Sequence, residues 1–308
     1  MTARVGSRPA LVLLAVGTIW GASFLFIKVA LEQAAPIEVA ADRLVLGALV
    51  LLAAVALRGR PLRLNPQLLV RVSVMALLSN VLPFALIAWA EVHIDSGVAS
   101  VLNSTMPLFT GLFAAAFLAE EDLSRGQLAG LIAGFVGVAV LGGGDILHAR
   151  ESALLGQLAV VAAAACYGAG GVYARTLLRT EDPLSLSALQ VTLGALFAVP
   201  IALAWAGAPD FSLGVKAWLS LAALGALGTG LAYVAYFWLV DNTGSVRASL
   251  VTYIIPPVGL LLGWAVLDER IGLNALMGAG LIALGVASVL RGQAPSSQRV
   301  QQTPADAT

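Results

Sequence analysis

The feature that most constrains this chain is a series of ten hydrophobic runs separated by short polar breaks. A hydrocarbon core of about 30 Å is spanned by roughly 20 helical residues, so each run can cross a membrane. The composition agrees, because 59% of the 308 residues are hydrophobic and only 11% are charged. The sequence therefore predicts an all-α integral membrane protein with ten transmembrane helices. The runs cover residues 10–31, 37–57, 68–90, 97–118, 126–143, 154–174, 184–206, 215–239, 245–267 and 272–290.

Composition also excludes several classes of function. Seventeen basic and seventeen acidic side chains cancel, so no charge excess points to nucleic acid as a partner. With a single cysteine, Cys166, and two histidines near helix ends, we expect no disulfide, no metal site and no cofactor. A membrane-embedded enzyme would need nucleophiles, bases or metal ligands gathered at membrane depth, and the runs offer no such set. The sequence has no G-K-[ST] phosphate-binding loop, so an ATP-driven pump is not indicated.

Basic residues near the helix ends predict the orientation in the membrane. If the N-terminus is cytoplasmic, twelve arginines lie at cytoplasmic ends and only three basic residues lie at outer ends. The positive-inside rule therefore places both termini in the cytoplasm. Residues 294–308 are polar and are expected to form a disordered cytoplasmic tail. The cytoplasmic set is Arg4, Arg8, Arg58, Arg60, Arg63, Arg71, Arg125, Arg175, Arg179, Arg247, Arg291 and Arg299, and the outer set is Arg150, Lys216 and Arg270.

The two halves of the chain match each other. A shift of 147 residues places Trp20 on Tyr167 and Lys28 on Arg175, and a shift of 149 places Pro107 on Pro256. Because each half holds five helices, an odd number, the halves must cross the membrane in opposite directions. The sequence thus predicts two inverted five-helix repeats, residues 1–146 and 147–293, around a central cavity. Inverted repeats with a site near the membrane midplane are typical of secondary transporters.

Several motifs together resemble the drug/metabolite transporter superfamily, in its EamA branch. They are the W-G-A-S-F-x-x-x-K of the first run, Arg43 in the second, and the helices of Pro107 and Pro256, which are followed by acidic turns. The resemblance covers about residues 10–291. It implies a basket-like bundle with a cavity lined mainly by helices 1, 3, 4, 6, 8 and 9. It also implies export of amino acids or related small metabolites, while the motifs do not specify the substrate.

Candidate substrate-binding residues are polar and aromatic side chains on the helices expected to line the cavity. On helix 4, Asn103 and Pro107 share one face, and on helix 9 Thr252 and Pro256 do the same. Small polar residues could instead serve only close helix packing. The tyrosines offer apolar rings with hydroxyl tips, which suit a ring or an aliphatic side chain. The full set is Trp20, Asn80, Phe84, Asn103, Pro107, Tyr167, Thr229, Tyr233, Tyr236, Thr252, Tyr253 and Pro256.

A second candidate group consists of charges near the outer ends of helices 1 and 2. Lys28, Glu38, Asp42 and Arg43 lie at similar depth, and Arg175 is the repeat counterpart of Lys28 on the cytoplasmic side. One interpretation is that Lys28 closes an outer gate by pairing with Glu38 or Asp42. The alternative is that the Lys28 side chain snorkels to the membrane interface.

The remaining carboxylates, Glu91 and Glu269 among them, are expected in turns, so no acid is predicted at the midplane. Transport would then be uncoupled, or coupled through the Lys28 group. The predicted function is a secondary transporter that exports neutral or aromatic amino acids across the bacterial inner membrane by alternating access. Efflux of drugs or cationic compounds, or passive facilitation of the same substrates, are the alternatives. The expected partners are the substrate and the lipid bilayer, and a monomer is compatible with the sequence.

A stripe of small residues marks the fifth run. Gly126, Gly130 and Gly134 are spaced by four, and Gly137 nearly continues the stripe. Such faces permit close approach of helices. We expect packing inside the bundle, with a seam between two copies of the chain as the alternative.

Overall fold

The computed structural model describes residues 7–60, 62, 64–118, 124–147, 151–178, 180–244 and 248–292. All regular structure in these ranges is helical, which confirms the predicted all-α class. The predicted tail at 294–308 lies outside the described residues.

Each predicted run corresponds to one helix of the bundle. Of the helices in the described ranges, nine are long and apolar enough to cross a membrane, and the fifth has a shorter apolar stretch, Arg125–Leu141. The helices are α1 Ser7–Ala30, α2 Pro36–Leu57, α3 Pro66–Glu91, α4 Ser96–Phe117, α5 Arg125–Leu147, α6 Glu151–Leu177, α7 Pro183–Trp205, α8 Val215–Thr243, α9 Ser249–Leu267 and α10 Leu273–Gly292.

Proline and short capping side chains set where several helices begin. The helices α2, α3 and α7 each start at a proline, which lacks the amide hydrogen that would be unsatisfied at that position. A Glu38 carboxylate oxygen accepts the Ala35 amide at 2.6 Å, and the Asn65 side chain accepts the Leu68 amide at 2.7 Å. Asp182 caps α7 in the same way. These caps allow short connections between long helices.

Four of the helices depart from regular α geometry. The π-helical segments Leu77–Val81 and Ala223–Leu231 interrupt α3 and α8. The helix α4 is broken just before Pro107, and α9 opens with a 3-10 turn, Ser249–Tyr253, just before Pro256. When the sequence is aligned with itself at a shift of 149 residues, the two π segments overlap and the two prolines coincide. The irregularities thus follow the sequence repeat, and π segments are frequent at functional sites.

Helix contacts also occur in matched sets. The helix α1 packs against α8 and α9, and α6 packs correspondingly against α3 and α4. The contact of α2 with α8 has its counterpart in the contact of α7 with α3. The pairs α2–α7, α4–α9 and α5–α10 each join equivalent helices of the two halves. Adding five to each helix number, and continuing from α10 to α1 where needed, therefore reproduces the same pattern.

The glycine stripe of α5 is used inside the bundle. A Cβ atom on Gly137 would lie 2.8 Å from the Gly278 carbonyl oxygen of α10, and one on Gly130 would lie 2.6 Å from the Ser288 Cβ. Gly134 faces Leu108 of α4, whereas a Cβ on Gly126 would meet only Ser124 Oγ, 4.0 Å away. Packing within the bundle is thus confirmed for three of the four glycines.

Candidate functional site

An aromatic group forms where α1 meets α8. Trp20 lies thirteen residues into α1, about 20 Å along the helix. Its indole Nε1 donates a hydrogen bond to the Gly228 carbonyl oxygen, 2.9 Å away, in the π segment of α8. The indole ring meets the Tyr233 ring edge-on at a centroid distance of 6.2 Å and the Tyr236 ring at 5.3 Å. Three of the predicted residues thus form one wall deep within the bundle.

A buried guanidinium lies beside this wall. Arg43 Nε donates a hydrogen bond to Thr229 Oγ1 at 2.9 Å, and the guanidinium carbon lies 3.9 Å from the centre of the Phe84 ring. The Arg43 side chain is only 8% exposed. Gly47 lets α2 approach α8, because a Cβ there would lie 2.6 Å from Thr229 Cγ2. Thr229 is thereby held against the Arg43 side chain.

The contacts of Arg43 are not with the other members of the predicted charge group. Arg43 is seven residues into α2, about 10 Å along the helix. Thr229 lies midway along α8, and Phe84 lies seven residues, about 10 Å, before the end of α3. A guanidinium stays charged in proteins, so it needs strong partners when it is buried. The hydroxyl of Thr229 and the face of Phe84 provide them. Arg43 therefore belongs to a group, called the central group below, that comprises Arg43, Trp20, Phe84, Thr229, Tyr233 and Tyr236.

A second polar pair joins α3 and α7. The Gln190 side-chain amide donates a hydrogen bond to Asn80 Oδ1, and Asn80 Nδ2 donates to the Tyr233 hydroxyl at 3.4 Å. Asn80 is 0% exposed and Gln190 is 3% exposed. This pair connects to the aromatic wall through Tyr233.

Gln190 is the residue of this group that the sequence interpretation missed. A shift of 147 residues places Arg43 on Gln190, and a shift of 149 places Asn80 on Thr229. The two polar pairs, Arg43–Thr229 and Gln190–Asn80, are therefore equivalent under the internal repeat. Applied to Arg43, the repeat offset would have identified Gln190.

The other predicted binding residues lie around this group with different surroundings. Tyr167 of α6 is partly buried between the two largest apolar clusters. On α4, Pro107 is buried and Asn103 has a buried side-chain oxygen without a hydrogen-bond partner. On α9, the Thr252 hydroxyl donates to the Ser249 carbonyl oxygen at 2.6 Å, while Tyr253 and Pro256 are partly buried. No hydrogen bond of the described residues joins Asn103 or Thr252 to the central group.

The C-terminal end of α1 is tied to the C-terminal end of α3 by Lys28. Its ammonium Nζ donates hydrogen bonds to the Glu91 carbonyl oxygen at 2.5 Å and to the Ile94 carbonyl oxygen at 2.8 Å. Glu38 instead caps α2, so the predicted pairing of Lys28 with Glu38 or Asp42 is wrong for this structure. The physical reason is that carbonyls at a helix C-terminus lack helical donors and carry partial negative charge.

Two carboxylates lie near this contact. Glu91 is the last residue of α3 rather than part of a turn, which corrects the sequence prediction. Its side chain is 0% exposed, and neither carboxyl oxygen has a hydrogen-bond partner. Glu269 does lie in a connection, the one between α9 and α10. It accepts the backbone amides of Ser96 at 2.7 Å and Gly97 at 3.0 Å, and so caps α4.

The opposite end of the bundle carries an ion pair and a pocket. Arg60 Nη1 lies 3.2 Å from Asp182 Oδ1. Burial opposes ionisation of Asp182, but hydrogen bonds from Ser185 and the nearby arginines outweigh it, so the pKa of this carboxyl lies below its ordinary value of 3.8. A pocket of about 360 Å³ beside this ion pair is lined by Arg60, Leu62, Leu68, Thr180, Glu181, Asp182, Ser185, Leu186 and Leu189. It is separate from the central group, and Arg175 is exposed near the end of α6.

Metal ligation is not a feature of the described part of the chain. Within those residues, no three His, Cys, Asp or Glu side chains come together in a way that could hold a metal ion. A bundle of long apolar helices with a polar and aromatic interior is the architecture of a multi-pass membrane protein.

Comparison with known proteins identifies the class more closely. The family model of the EamA-like transporter family matches residues 7–143 and again residues 154–291. The chain therefore belongs to the EamA-like transporter family, with two copies of the family's repeat, which confirms the resemblance seen in the sequence.

Individual relatives agree with this family. The uncharacterized transporter YoaV of Bacillus subtilis is 28% identical over 274 residues, which cover 89% of this chain and 94% of that protein. An uncharacterized transporter of Archaeoglobus fulgidus is 30% identical over 278 residues, covering 89% and 95%. A probable terminal-alkyne amino-acid exporter of Streptantibioticus cattleyicolor is 32% identical over 212 residues, covering 67% and 66%. A solved crystal structure shares the fold, with a TM-score of 0.64 at 22% identity, covering 92% of this chain and 96% of that one.

Proposed function

We propose that this protein is a secondary transporter that exports small metabolites, above all neutral or aromatic amino acids, across the bacterial inner membrane by alternating access. The observation that carries the proposal is the buried guanidinium of Arg43 beside an aromatic wall. Its Nη2 would lie 3.9 Å from a Cβ placed on Gly228, the residue whose carbonyl accepts the Trp20 indole. The Arg43 guanidinium and the Trp20 indole therefore both lie close to Gly228 of α8.

This combination matches the chemistry of an amino acid. A guanidinium is suited to a carboxylate, because its planar donors match the two carboxylate oxygens. The rings of Trp20, Tyr233 and Tyr236 suit an apolar or aromatic side chain. The amide oxygen of Gln190 and the tyrosine hydroxyls can accept hydrogen bonds from a substrate amino group. The relative named as a probable amino-acid exporter supports the same substrate class.

The same charge argues against the main alternative. A cationic drug would meet the buried positive charge of Arg43 where it would need a carboxylate. The second alternative, a passive facilitator, could use the same side chains without alternating access. These two alternatives are separated by different experiments, a substrate screen for the first and a counterflow measurement for the second.

The inverted arrangement of the two halves is part of this proposal. It is supported by the two family matches, the equivalent π segments of α3 and α8, and the equivalent polar pairs Arg43–Thr229 and Gln190–Asn80. Two halves of similar build, oppositely oriented, would give inward-open and outward-open states of similar energy. The arginine distribution supports cytoplasmic termini, and the proposal requires one copy of the chain only.

The ends of α1 and α6 provide the proposed gates. The hydrogen bonds of Lys28 to the end of α3 hold the outer side together. Arg175, its repeat counterpart near the end of α6, is proposed to have the corresponding role on the cytoplasmic side. Opening one side would then release one set of contacts while the other set forms.

Reconstitution into liposomes tests the proposed substrate class. Purified protein is screened for uptake of the twenty amino acids and of several cationic dyes, with empty liposomes as the control. We expect saturable uptake of neutral or aromatic amino acids and no uptake of the dyes. Transport of the dyes without any amino acid would overturn the substrate class.

A further inference from the structure

One ionisable side chain in the membrane-spanning helices has no role in the site described above. Glu91 continues the face of α3 that carries Asn80, Phe84 and Ile87, at intervals of four, three and four residues. All four side chains are buried, with exposures of 0%, 3%, 3% and 0%. This face therefore extends from Asn80, beside the central group, to Glu91 at the outer end of the helix, about 16 Å along the helix axis.

The outer ends of the helices around Glu91 are closed. Lys28 of α1 bonds to the Glu91 and Ile94 carbonyl oxygens, and Glu269 bonds to the first amides of α4. On the α4 side, a Cβ on Gly97 would lie 3.1 Å from Leu260 of α9. These contacts account for the complete burial of the Glu91 side chain.

The carboxyl group itself is left without a partner. Neither Glu91 oxygen accepts or donates a hydrogen bond, and the nearby Ser96 hydroxyl is also buried and unpartnered. The charged groups that act on Glu91 are Lys28 from α1, Glu269 from the α9–α10 connection and Arg43 from α2. Each has other partners: two carbonyls for Lys28, two amides for Glu269, and Thr229 with Phe84 for Arg43. The nearest histidine in sequence, His93, meets the Trp89 ring edge-on at a centroid distance of 4.6 Å.

The two protonation states of this carboxyl differ greatly in cost. An ionised carboxylate that is buried without hydrogen bonds or a paired charge is strongly destabilising, and a neutral carboxyl is much less so. If Glu91 were ionised in the closed state, the ammonium of Lys28 would be drawn from the carbonyls to the carboxylate, and no such ion pair is formed.

We propose that Glu91 is a proton-binding site of the outer gate, which takes up a proton from the outer solution when the gate closes and returns it when the gate opens. In the open state water reaches the carboxyl, the O–H bond breaks, the proton passes to water, and the carboxylate pairs with the freed Lys28 ammonium. Closing reverses each step. The proton thus controls the gate from the outer side and does not cross the membrane with the substrate. The inference extends the gate described under the proposed function.

The first test is an infrared pH titration of the purified protein in lipid. Glu91→Gln keeps the size and neutrality of the protonated side chain, and Glu151→Gln, at an exposed position at the start of α6, is the matched control. We expect the carbonyl band of a protonated carboxyl at neutral pH in the wild type and in Glu151→Gln, and its loss in Glu91→Gln. A band that Glu91→Gln retains, or no band in the wild type, would overturn the proposal.

The second test follows the gate directly. Spin labels are placed at Glu32→Cys and Val92→Cys, both exposed at the outer ends of α1 and α3, in a Cys166→Ala background. We expect the label distance to lengthen as the pH is raised in the wild type and in Glu151→Gln, and to be independent of pH in Glu91→Gln. A pH-dependent distance in Glu91→Gln would contradict the proposal. Neither test requires a substrate, so both remain decisive if the proposed substrate class is wrong.

Discussion

The position of Arg43 in the central group allows a quantitative prediction for its substitution. Arg43→Gln removes the guanidinium and installs the residue found at the repeat-equivalent position, Gln190. A hydrogen bond to a charged group contributes about 1.5–3 kcal/mol, and a substrate carboxylate bound to Arg43 would lose a contact of this kind. Since about 1.4 kcal/mol corresponds to a factor of ten, KM should rise by about 10- to 100-fold. Arg43→Lys keeps the charge but loses the planar donors, so its KM should lie between the values of the wild type and Arg43→Gln.

A second substitution separates binding from stability. Thr229→Val removes the hydroxyl that accepts from Arg43 Nε at 2.9 Å, and leaves a buried donor unsatisfied at a cost of about 1–3 kcal/mol. We expect a lower Tm for Thr229→Val, whereas Arg43→Gln also removes the buried charge and should keep more of its stability.

Both variants are measured in the same way. Initial rates of tracer exchange in liposomes give KM for the amino acid found in the screen, and thermal unfolding in detergent gives Tm. An unchanged KM in a folded Arg43→Gln protein would refute the assignment of Arg43 to the substrate carboxylate.

Three further predictions concern packing, the proposed gate at Lys28 and the ion pair of Asp182. Gly137→Ala should lower Tm, because its Cβ would lie 2.8 Å from the Gly278 carbonyl oxygen. The control Gly171→Ala should not lower Tm, because a Cβ on Gly171 has open space. Equal Tm values for the two variants in thermal unfolding would contradict this prediction. Lys28→Ala removes two hydrogen bonds, each of about 0.6 kcal/mol or more, so it should open the proposed outer gate and slow transport. A normal transport rate of this variant in liposomes would exclude a role of Lys28 in the gate. Folding lowers the pKa of Asp182, so the stabilising contribution of this carboxylate is present at neutral pH and is lost as the pH falls below 3.8. Asp182→Asn should abolish this part of the acid dependence of Tm. An acid profile of Tm that is the same in the variant and the wild type would disprove the assignment.

Much of the fold could be predicted from the sequence because the bilayer restricts the possible structures. An apolar run of about 20 residues can only be a helix in hydrocarbon, so each of the ten runs predicts one helix. The π segments had no signature of their own in the hydrophobic pattern. Asn80 and Thr229, which lie in them, could be selected as polar residues, while the local unwinding around them could not.

The candidate site was less predictable, because its geometry depends on which helices meet. Because Arg43 lies near the start of α2 in sequence, the pattern groups it with Lys28 and the carboxylates at that end. Its partners Phe84 and Thr229, however, come from helices far away in sequence. Lys28 was expected to pair with a carboxylate, and it binds backbone carbonyls, which no residue type reveals. Glu91 was expected in a turn, since the sequence shows the end of an apolar run but not the helices that cover it.

The central claim, that this chain is a carrier working by alternating access, is tested most directly by tracer counterflow. Liposomes containing the protein are loaded with unlabelled amino acid and diluted into a trace of the same labelled compound. A carrier that exposes one site alternately to each side predicts a transient accumulation of label above its equilibrium level, which then decays. A monotonic approach to equilibrium, without any overshoot, would contradict the account and indicate a passive facilitator.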